Sequence, residues 1–127
     1  MDFYTVKEIV FRYADIREKE VEAYANKVRN SEKYKRYISR LIKINFSKYE
    51  AICRAERKFT WWEQLRKHSA VADVAYEILG KEYAGIFLNV LEGAPISEWP
   101  ANRLAAEGWK PSEYVPFRSN DSHSYEH

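Results

Sequence analysis

Apolar side chains recur at helical spacing between Tyr34 and Ile44, and this pattern constrains the fold more than any other feature of the chain. At about 100° per residue the apolar positions share one arc. They are Tyr34, Tyr37, Ile38, Leu41, Ile42 and Ile44. The opposite arc carries Lys35, Arg36, Ser39, Arg40 and Lys43 and no acidic residue. The segment therefore predicts an amphipathic helix with one buried and one strongly basic face.

The same periodicity predicts a helix before and a helix after this segment. The first is expected over residues 6–29, where Arg17 and Glu20 interrupt the apolar stripe and a break at residues 14–15 is left open. The other is expected to start near Lys48. It runs either unbroken to residue 67 or to a kink at residues 59–60, because the pattern fits both.

The second half of the chain predicts three shorter helices. Residues 70–79 are followed by Gly80, which suits a left-handed helix end. Residues 83–91 are apolar on nearly every side and are expected to form the most buried element, with a strand over 86–91 as the alternative. A last short helix is expected over residues 99–107, closed by Gly108.

Several residues are predicted to cap these helices. A capping box pairs a hydroxyl with a carboxylate three residues later, and both satisfy free N–H groups at a helix start. The pairs with that spacing are Thr5 with Glu8, Ser47 with Glu50, and Thr60 with Glu63. Ser31 is a further N-cap candidate.

These elements predict an all-α chain of five to six helices arranged as a compact bundle. With 127 residues, 46% of them hydrophobic, the chain is long enough to fold as one domain without a metal or a disulfide. We expect that domain over residues 1–117. It ends in an irregular segment that interleaves Pro with aromatic residues, and a mobile polar tail is expected over residues 118–127.

Charge is distributed unevenly along the sequence. Residues 1–68 contain 17 Lys/Arg and 10 Asp/Glu, whereas residues 69–127 contain 4 and 9. The bias is strongest over residues 27–67, with 13 basic and 4 acidic residues. Such a region attracts anionic partners. The alternative is a solvated basic face that the acidic half neutralises, and the pair Asp73 and Glu77 predicts a cation nearby, on the second or third helix.

The basic region predicts contacts with nucleic acid or with an acidic protein surface. We expect phosphate contacts from the cations of the second and third helices, which are Lys35, Arg36, Arg40, Lys43, Arg54, Arg57 and Lys58. Trp61 shares an arc with the last three of these if the third helix is continuous, and it is the candidate for stacking on a base.

Tryptophans elsewhere predict a second kind of surface. Trp62, Trp99 and Trp109 are candidates for a protein interface or a homo-oligomer contact. Adjacent Trp61 and Trp62 point 100° apart, so one of them is expected to be exposed. The alternative function is thus an inhibitor or adaptor that acts on a larger host complex, as small proteins of mobile elements do. For Trp99 and Trp109, sealing of the core by the C-terminal segment is the preferred interpretation.

The sequence contains no recognisable catalytic, metal or cofactor motif. Its histidines, His68, His123 and His127, are scattered, and its only cysteine, Cys53, is expected to be a small core residue. An enzyme would need a site assembled from distant residues. We therefore expect a non-enzymatic binding protein without cofactor. It lacks a secretory signal and a membrane-spanning stretch, which predicts a soluble cytoplasmic protein.

Overall fold

The computed structural model describes residues 1–118, and this part of the chain is helical without β-strands. It contains seven α-helices and one short 3₁₀ helix. They are α1 (Phe3–Arg29), α2 (Glu32–Lys43), α3 (Lys48–Phe59), α4 (Trp61–His68), α5 (Ala70–Leu79), α6 (Lys81–Leu91), the 3₁₀ helix (Ile96–Glu98) and α7 (Ala101–Ala106). The predicted all-α class is confirmed, with more helices than the five to six expected.

Helix α1 begins one turn earlier than predicted and has no break at residues 14–15. The prediction of Thr5 as its cap is wrong. The Asp2 carboxylate accepts a hydrogen bond from the Thr5 backbone N–H at 2.7 Å, and this bond holds the pKa of Asp2 below its usual value. A carboxylate satisfies free N–H groups as a hydroxyl does and also interacts favourably with the positive end of the helix dipole.

Two of the predicted serine caps are confirmed. Ser31 accepts a hydrogen bond from the backbone N–H of Tyr34 at 3.3 Å and starts α2. Ser47 accepts one from the backbone N–H of Glu50 at 3.1 Å and starts α3. Both serines have extended backbone geometry, which is what stops each helix from continuing backwards.

The chain breaks its helix at Thr60, which separates α3 from α4 and accounts for the additional helix. The prediction that Thr60 and Glu63 form a capping box is therefore wrong. The Thr60 hydroxyl donates back to the Glu56 carbonyl oxygen at 2.8 Å instead of accepting from α4. Such a bond competes with helix geometry and favours a bend.

Residues 86–91 are helical, so the strand alternative is wrong. Helix α6 buries one face only, formed by Ala84, Phe87 and Val90. The most completely buried helix is instead α5, whose small side chains allow close packing; its buried residues are Ala70, Val74, Ala75, Ile78 and Leu79. The apolar side chains on the other faces of α6 are only half-buried.

Helix α2 ends in a turn that needs a left-handed residue, and Asn45 provides it at φ 77°. The Asn45 N–H donates to the Ile42 carbonyl oxygen, and the Phe46 N–H donates to that of Leu41. This pair of bonds is the Schellman motif, which satisfies the last carbonyl groups of a helix. Gly93 and Gly108 close α6 and α7 in the same way.

Contacts group the described residues into two compact units. The first unit contains residues 1–18 and 69–116, and the second contains residues 19–68 with Phe117 and Arg118. The single domain over residues 1–117 stays a prediction. Apart from Arg118, the predicted tail lies outside the described residues.

The core of the first unit is rich in aromatic residues. Trp99 is 4% exposed and packs against Phe3, Phe87, Tyr83 and Trp109 at ring-centroid distances of 6.0–6.4 Å. Its indole N–H donates to the Met1 carbonyl oxygen at 3.0 Å. The irregular C-terminal segment therefore packs onto this unit, as the preferred interpretation of its tryptophans predicted.

A buried arginine anchors the same segment. Arg17, which interrupts the apolar stripe of α1, is 5% exposed and forms a bidentate ion pair with Glu77 at 2.6 and 3.0 Å. It also donates to the Tyr114 hydroxyl and to the Val115 carbonyl oxygen. The cation predicted beside Glu77 thus comes from α1 and not from α2 or α3. Asp73, the other member of that pair, accepts from the Ser69 hydroxyl.

The second unit has a smaller core, in which α1, α2 and α3 meet. Val28, Tyr34, Ala55 and Phe59 are its buried members. The Phe59 ring packs edge-to-face on Tyr34 at 5.8 Å and on Tyr37 at 5.5 Å. The predicted apolar arc of α2 is confirmed at Tyr34, whereas Ile42 and Ile44, near the end of the helix, are exposed.

Candidate functional site

The cations predicted on α2 are all exposed, and they spread over an arc of about 140° on the helix. Arg40 lies three residues after Tyr37, a spacing that places both on one side of α2. Lys35 lies roughly opposite, and Arg36 and Lys43 point outward between these two sides. Among the predicted cations of α2, Arg40 lies nearest to Tyr37 around the helix.

A basic cleft lies beside Tyr37. It has a volume of about 200 Å³ and is lined by Tyr37, Arg54, Arg57 and Lys58. The three cations come from α3, where a spacing of three and four residues places Arg57 and Lys58 one turn beyond Arg54. No acidic side chain lines the cleft, and no ion pair of residues 1–118 involves these three cations.

Aromatic rings hold two of these cations in place. The Arg54 guanidinium lies 4.5 Å from the centroid of the Phe46 ring. The Lys58 ammonium lies 5.2 Å from the Tyr37 centroid and 5.8 Å from that of Phe59. A cation held over an aromatic face loses side-chain freedom before a ligand arrives, which lowers the entropic cost of binding.

Two carboxylates of the second unit, Glu22 and Glu56, belong to an ion-pair network on the other side of α3. Arg29 donates to both carboxylate oxygens of Glu56 at 2.8–3.1 Å and to Glu22 at 2.6 Å. Lys67 donates to Glu22 at 2.9 Å, and the Tyr34 hydroxyl donates to Glu56 at 2.5 Å. Glu56 is two residues from both Arg54 and Lys58, so it faces away from the cleft.

These contacts keep the network charged. Burial alone would raise the pKa of Glu56, but hydrogen bonds from Arg29 and Tyr34 outweigh it and hold that pKa below the usual value. The bond from Lys67 lowers the pKa of Glu22, and the bond to Glu56 raises the pKa of Arg29. Burial, followed by the bond to Glu56, raises the pKa of Tyr34. Arg29 and Lys67 are consequently occupied inside the unit, unlike the cations of the cleft.

A larger groove lies next to the cleft. Its volume is about 520 Å³, within the roughly 300–1,000 Å³ of small-ligand sites. Its apolar lining consists of Tyr24, which is half-buried, and of Val28 and Phe59, which are buried. The polar lining consists of Lys27, Ser31, Glu32 and Lys33. Because Phe59 lines the groove and touches Tyr37 of the cleft, a single aromatic pair separates the two depressions.

The predicted arc that joined Trp61 to the α3 cations is wrong, because the helix is interrupted at Thr60 and Trp61 belongs to α4. Trp61 is 57% exposed. Trp62 is half-buried and packs on Phe117 at 5.5 Å and under the Arg66 guanidinium. The expectation that one of the adjacent tryptophans is exposed is therefore confirmed.

The other predicted interface tryptophans lie in the first unit. The burial of Trp99 leaves little indole surface for a partner, and we omit it from the proposed contacts. Trp109 is half-buried against Tyr83 at 5.4 Å.

Cys53 is exposed on α3, so the prediction of a core cysteine is wrong. His68 is exposed in the last turn of α4, whereas His123 and His127 lie outside the described residues. Within residues 1–118, no group of three or more His, Cys, Asp and Glu side chains is placed to hold a metal ion. No helix in this range is both long and apolar enough to cross a membrane.

Sequence reasoning missed the site residues that have aromatic side chains. Tyr37 was assigned to the core arc of α2, and Tyr24, Phe46 and Phe59 had no predicted role at a site. The available signal was the position of Tyr37 at the edge of that arc, three residues from Arg40 and four from Lys33. Comparisons with protein-family models, curated proteins and solved structures gave no match.

Proposed function

We propose that this chain is a non-enzymatic binding protein that engages the phosphate backbone of nucleic acid through the basic cleft. One observation carries the proposal: Arg54, Arg57 and Lys58 converge on one cleft that has no carboxylate in its lining. Phosphates are the usual partners of clustered Lys and Arg, and they supply most of the sequence-independent affinity for nucleic acid.

The division of charge within the second unit supports this proposal. If the basic region were merely neutralised by its own acids, Glu56 would be expected among the cleft cations. It is instead held by Arg29 on the other side of α3. The cleft cations therefore keep their field for an external anion. On the same side of α2 as Tyr37, Arg40 and Lys33 extend the basic surface beyond the cleft.

The test is binding of labelled nucleic acid, measured against salt concentration, for the wild type and a triple variant Arg54→Gln, Arg57→Gln, Lys58→Gln. The slope of log K against log salt is negative, and the loss of three phosphate contacts should reduce its magnitude by about 2. Binding near 100 mM salt should weaken at least tenfold. The matched control is Arg12→Gln, Lys81→Gln, Lys110→Gln, which removes the same charge from exposed residues of the first unit.

Binding of the control should stay within about twofold of the wild type, because none of its charges lines the cleft. Absence of binding at about 50 mM salt would contradict the proposal. Equal weakening by the two triple variants would contradict it too, because net charge and not the cleft would then determine affinity.

Exposed apolar side chains favour a second candidate, an adaptor or inhibitor that binds an acidic protein surface. Tyr49 is 77% exposed and Ile44 is 64% exposed near the turn between α2 and α3, and Trp61 is exposed on α4. A surface that combines exposed apolar side chains with cations is better suited to a protein partner than to a phosphate backbone. Under this candidate, polyglutamate should bind more tightly than nucleic acid of equal charge, and Trp61→Ala should weaken that binding without unfolding the protein.

A further inference from the structure

We infer that the groove of the second unit receives an unpaired nucleobase whose phosphate occupies the basic cleft, so that the protein selects single-stranded nucleic acid. This inference rests on the proposed function and adds a substrate class to it. It follows from the adjacency of two depressions with different linings, one aromatic and one cationic.

The groove has the surface that a base requires. Tyr24, which is half-buried, provides the aromatic surface, and the buried side chains of Val28 and Phe59 complete the apolar lining. The Tyr24 and Phe117 rings pack edge-to-face, with centroids 6.3 Å apart and 67° between the ring planes, and a contact of this kind covers at most one face of the Tyr24 ring. Stacking on aromatic rings is tolerant of base identity, because every base has a π face.

The charges around the groove fit a nucleotide better than a neutral apolar ligand. Lys27 and Lys33 line it together with a single carboxylate, Glu32. The two lysines favour an anionic chain that passes along the rim, and the Glu32 and Ser31 side chains provide acceptors for amino and imino groups of a base.

The position of Lys58 connects the two depressions. Its ammonium lies 5.2 Å from the centroid of Tyr37, in the cleft, and 5.8 Å from that of Phe59, in the groove. A phosphate drawn to Lys58 therefore lies beside the ring pair that separates cleft from groove. A nucleotide carries its base and its phosphate on opposite sides of one sugar, which suits a base on one side of that pair and a phosphate on the other.

Duplex nucleic acid cannot occupy the groove and the cleft in this way, because its bases are stacked and paired. To place one in the groove, a duplex must first be opened at a cost of a few kcal/mol, whereas a single strand presents bases freely. The cleft alone contacts both forms, so the groove accounts for the selectivity.

The test compares a labelled strand of roughly twelve thymidines with an abasic strand of equal length, which keeps every phosphate and removes every base. We expect the thymidine strand to bind wild-type protein about tenfold more tightly, as one stacked base contributes. Two variants alter the groove: Tyr24→Leu removes the stacking ring and Val28→Phe fills the space. Either one should abolish the difference between the strands and leave the salt slope unchanged.

Tyr76→Leu, at an exposed tyrosine of the first unit, is the matched control and should keep the full difference. Circular dichroism and urea unfolding establish which groove variant is folded, and one folded variant is sufficient. Equal affinity of wild type for the two strands overturns the inference and leaves the proposed function standing. A difference that persists in a folded groove variant also overturns it, whereas absence of binding to either strand refutes both.

Discussion

Asn45 shows how one residue determines the connection between α2 and α3. Its φ of 77° lies in the left-handed region, where a Cβ atom crowds the backbone and glycine is preferred. Asparagine tolerates that region better than most residues. The turn therefore forms without glycine, although the sequence around it, with Asn45, Phe46 and Ser47, lacks the usual signature of a tight helix–helix connection.

Substitutions at Asn45 should change the free energy of unfolding according to how well the new residue tolerates a left-handed backbone. Asn45→Gly should raise the free energy of unfolding slightly, and Asn45→Ala should lower it by roughly 1 kcal/mol, because alanine is strained in the left-handed region. Urea unfolding followed by circular dichroism measures both. As a control, Ser39→Gly inside α2 should be destabilising by about 0.5 kcal/mol. A stabilising effect of Asn45→Ala would be inconsistent with the left-handed turn.

Arg17 is a polar residue of the first unit whose loss we expect to be strongly destabilising. Arg17→Ala leaves Glu77 and the Val115 carbonyl oxygen without their partner and should lower the free energy of unfolding by roughly 2–4 kcal/mol. The value falls toward the lower end of that range because Glu77 is about one-third exposed. Arg12→Ala, an exposed arginine of the same helix, should change stability by less than about 0.5 kcal/mol. Thermal unfolding of the two variants tests the contrast.

At the scale of elements, α3 separates the two charge systems of the second unit. Glu56 on one side joins α3 to the end of α1 through Arg29 and to α2 through Tyr34. Arg54, Arg57 and Lys58 on the other side line the cleft. The ion-pair network fixes the rotation of α3, and this rotation determines where the three cations point.

This network predicts an acid-sensitive stability. The pKa of Glu56 is lower in the folded protein than its ordinary value of 4.5, so the resulting stabilisation is present above that value and is lost as the pH falls through the folded-state pKa. Glu56→Gln should lower the free energy of unfolding by about 1–3 kcal/mol at neutral pH. It should also flatten the decline of stability below pH 4.5.

Urea unfolding at a series of pH values measures both effects. Tyr34→Phe removes one hydrogen bond to Glu56 and keeps Arg29, so its pH dependence should lie between those of wild type and Glu56→Gln. A Glu56→Gln variant with the full acid dependence of the wild type would show that other carboxylates determine it.

For the whole molecule, periodicity was sufficient to predict the helical class and most helix positions. The spacing of apolar residues in α2 and the serines before α2 and α3 carry that information locally. The break at Thr60 was not decided by sequence, because a continuous and a kinked helix satisfy the same pattern. Burial of α6 was overestimated, since an apolar segment does not itself show how many neighbours cover it.

The candidate site was predictable only in part, for a physical reason. A high local content of Lys and Arg indicates a basic region, so Arg54, Arg57 and Lys58 are predicted as site residues from sequence. Which cations remain available depends on ion pairs between helices distant in sequence, such as Arg29 with Glu56, and these follow from packing. The role of Tyr37 depends on the same packing, because its ring serves both the core and the cleft.

The exposed Cys53 has a practical consequence. It is the only thiol of the chain and lies on α3, immediately before Arg54. A maleimide dye will therefore attach at a single, known position one turn from Arg57, without removing a charge from the cleft. Fluorescence from that position reports ligand arrival at this helix, and the same thiol requires purification under reducing conditions to prevent covalent dimers.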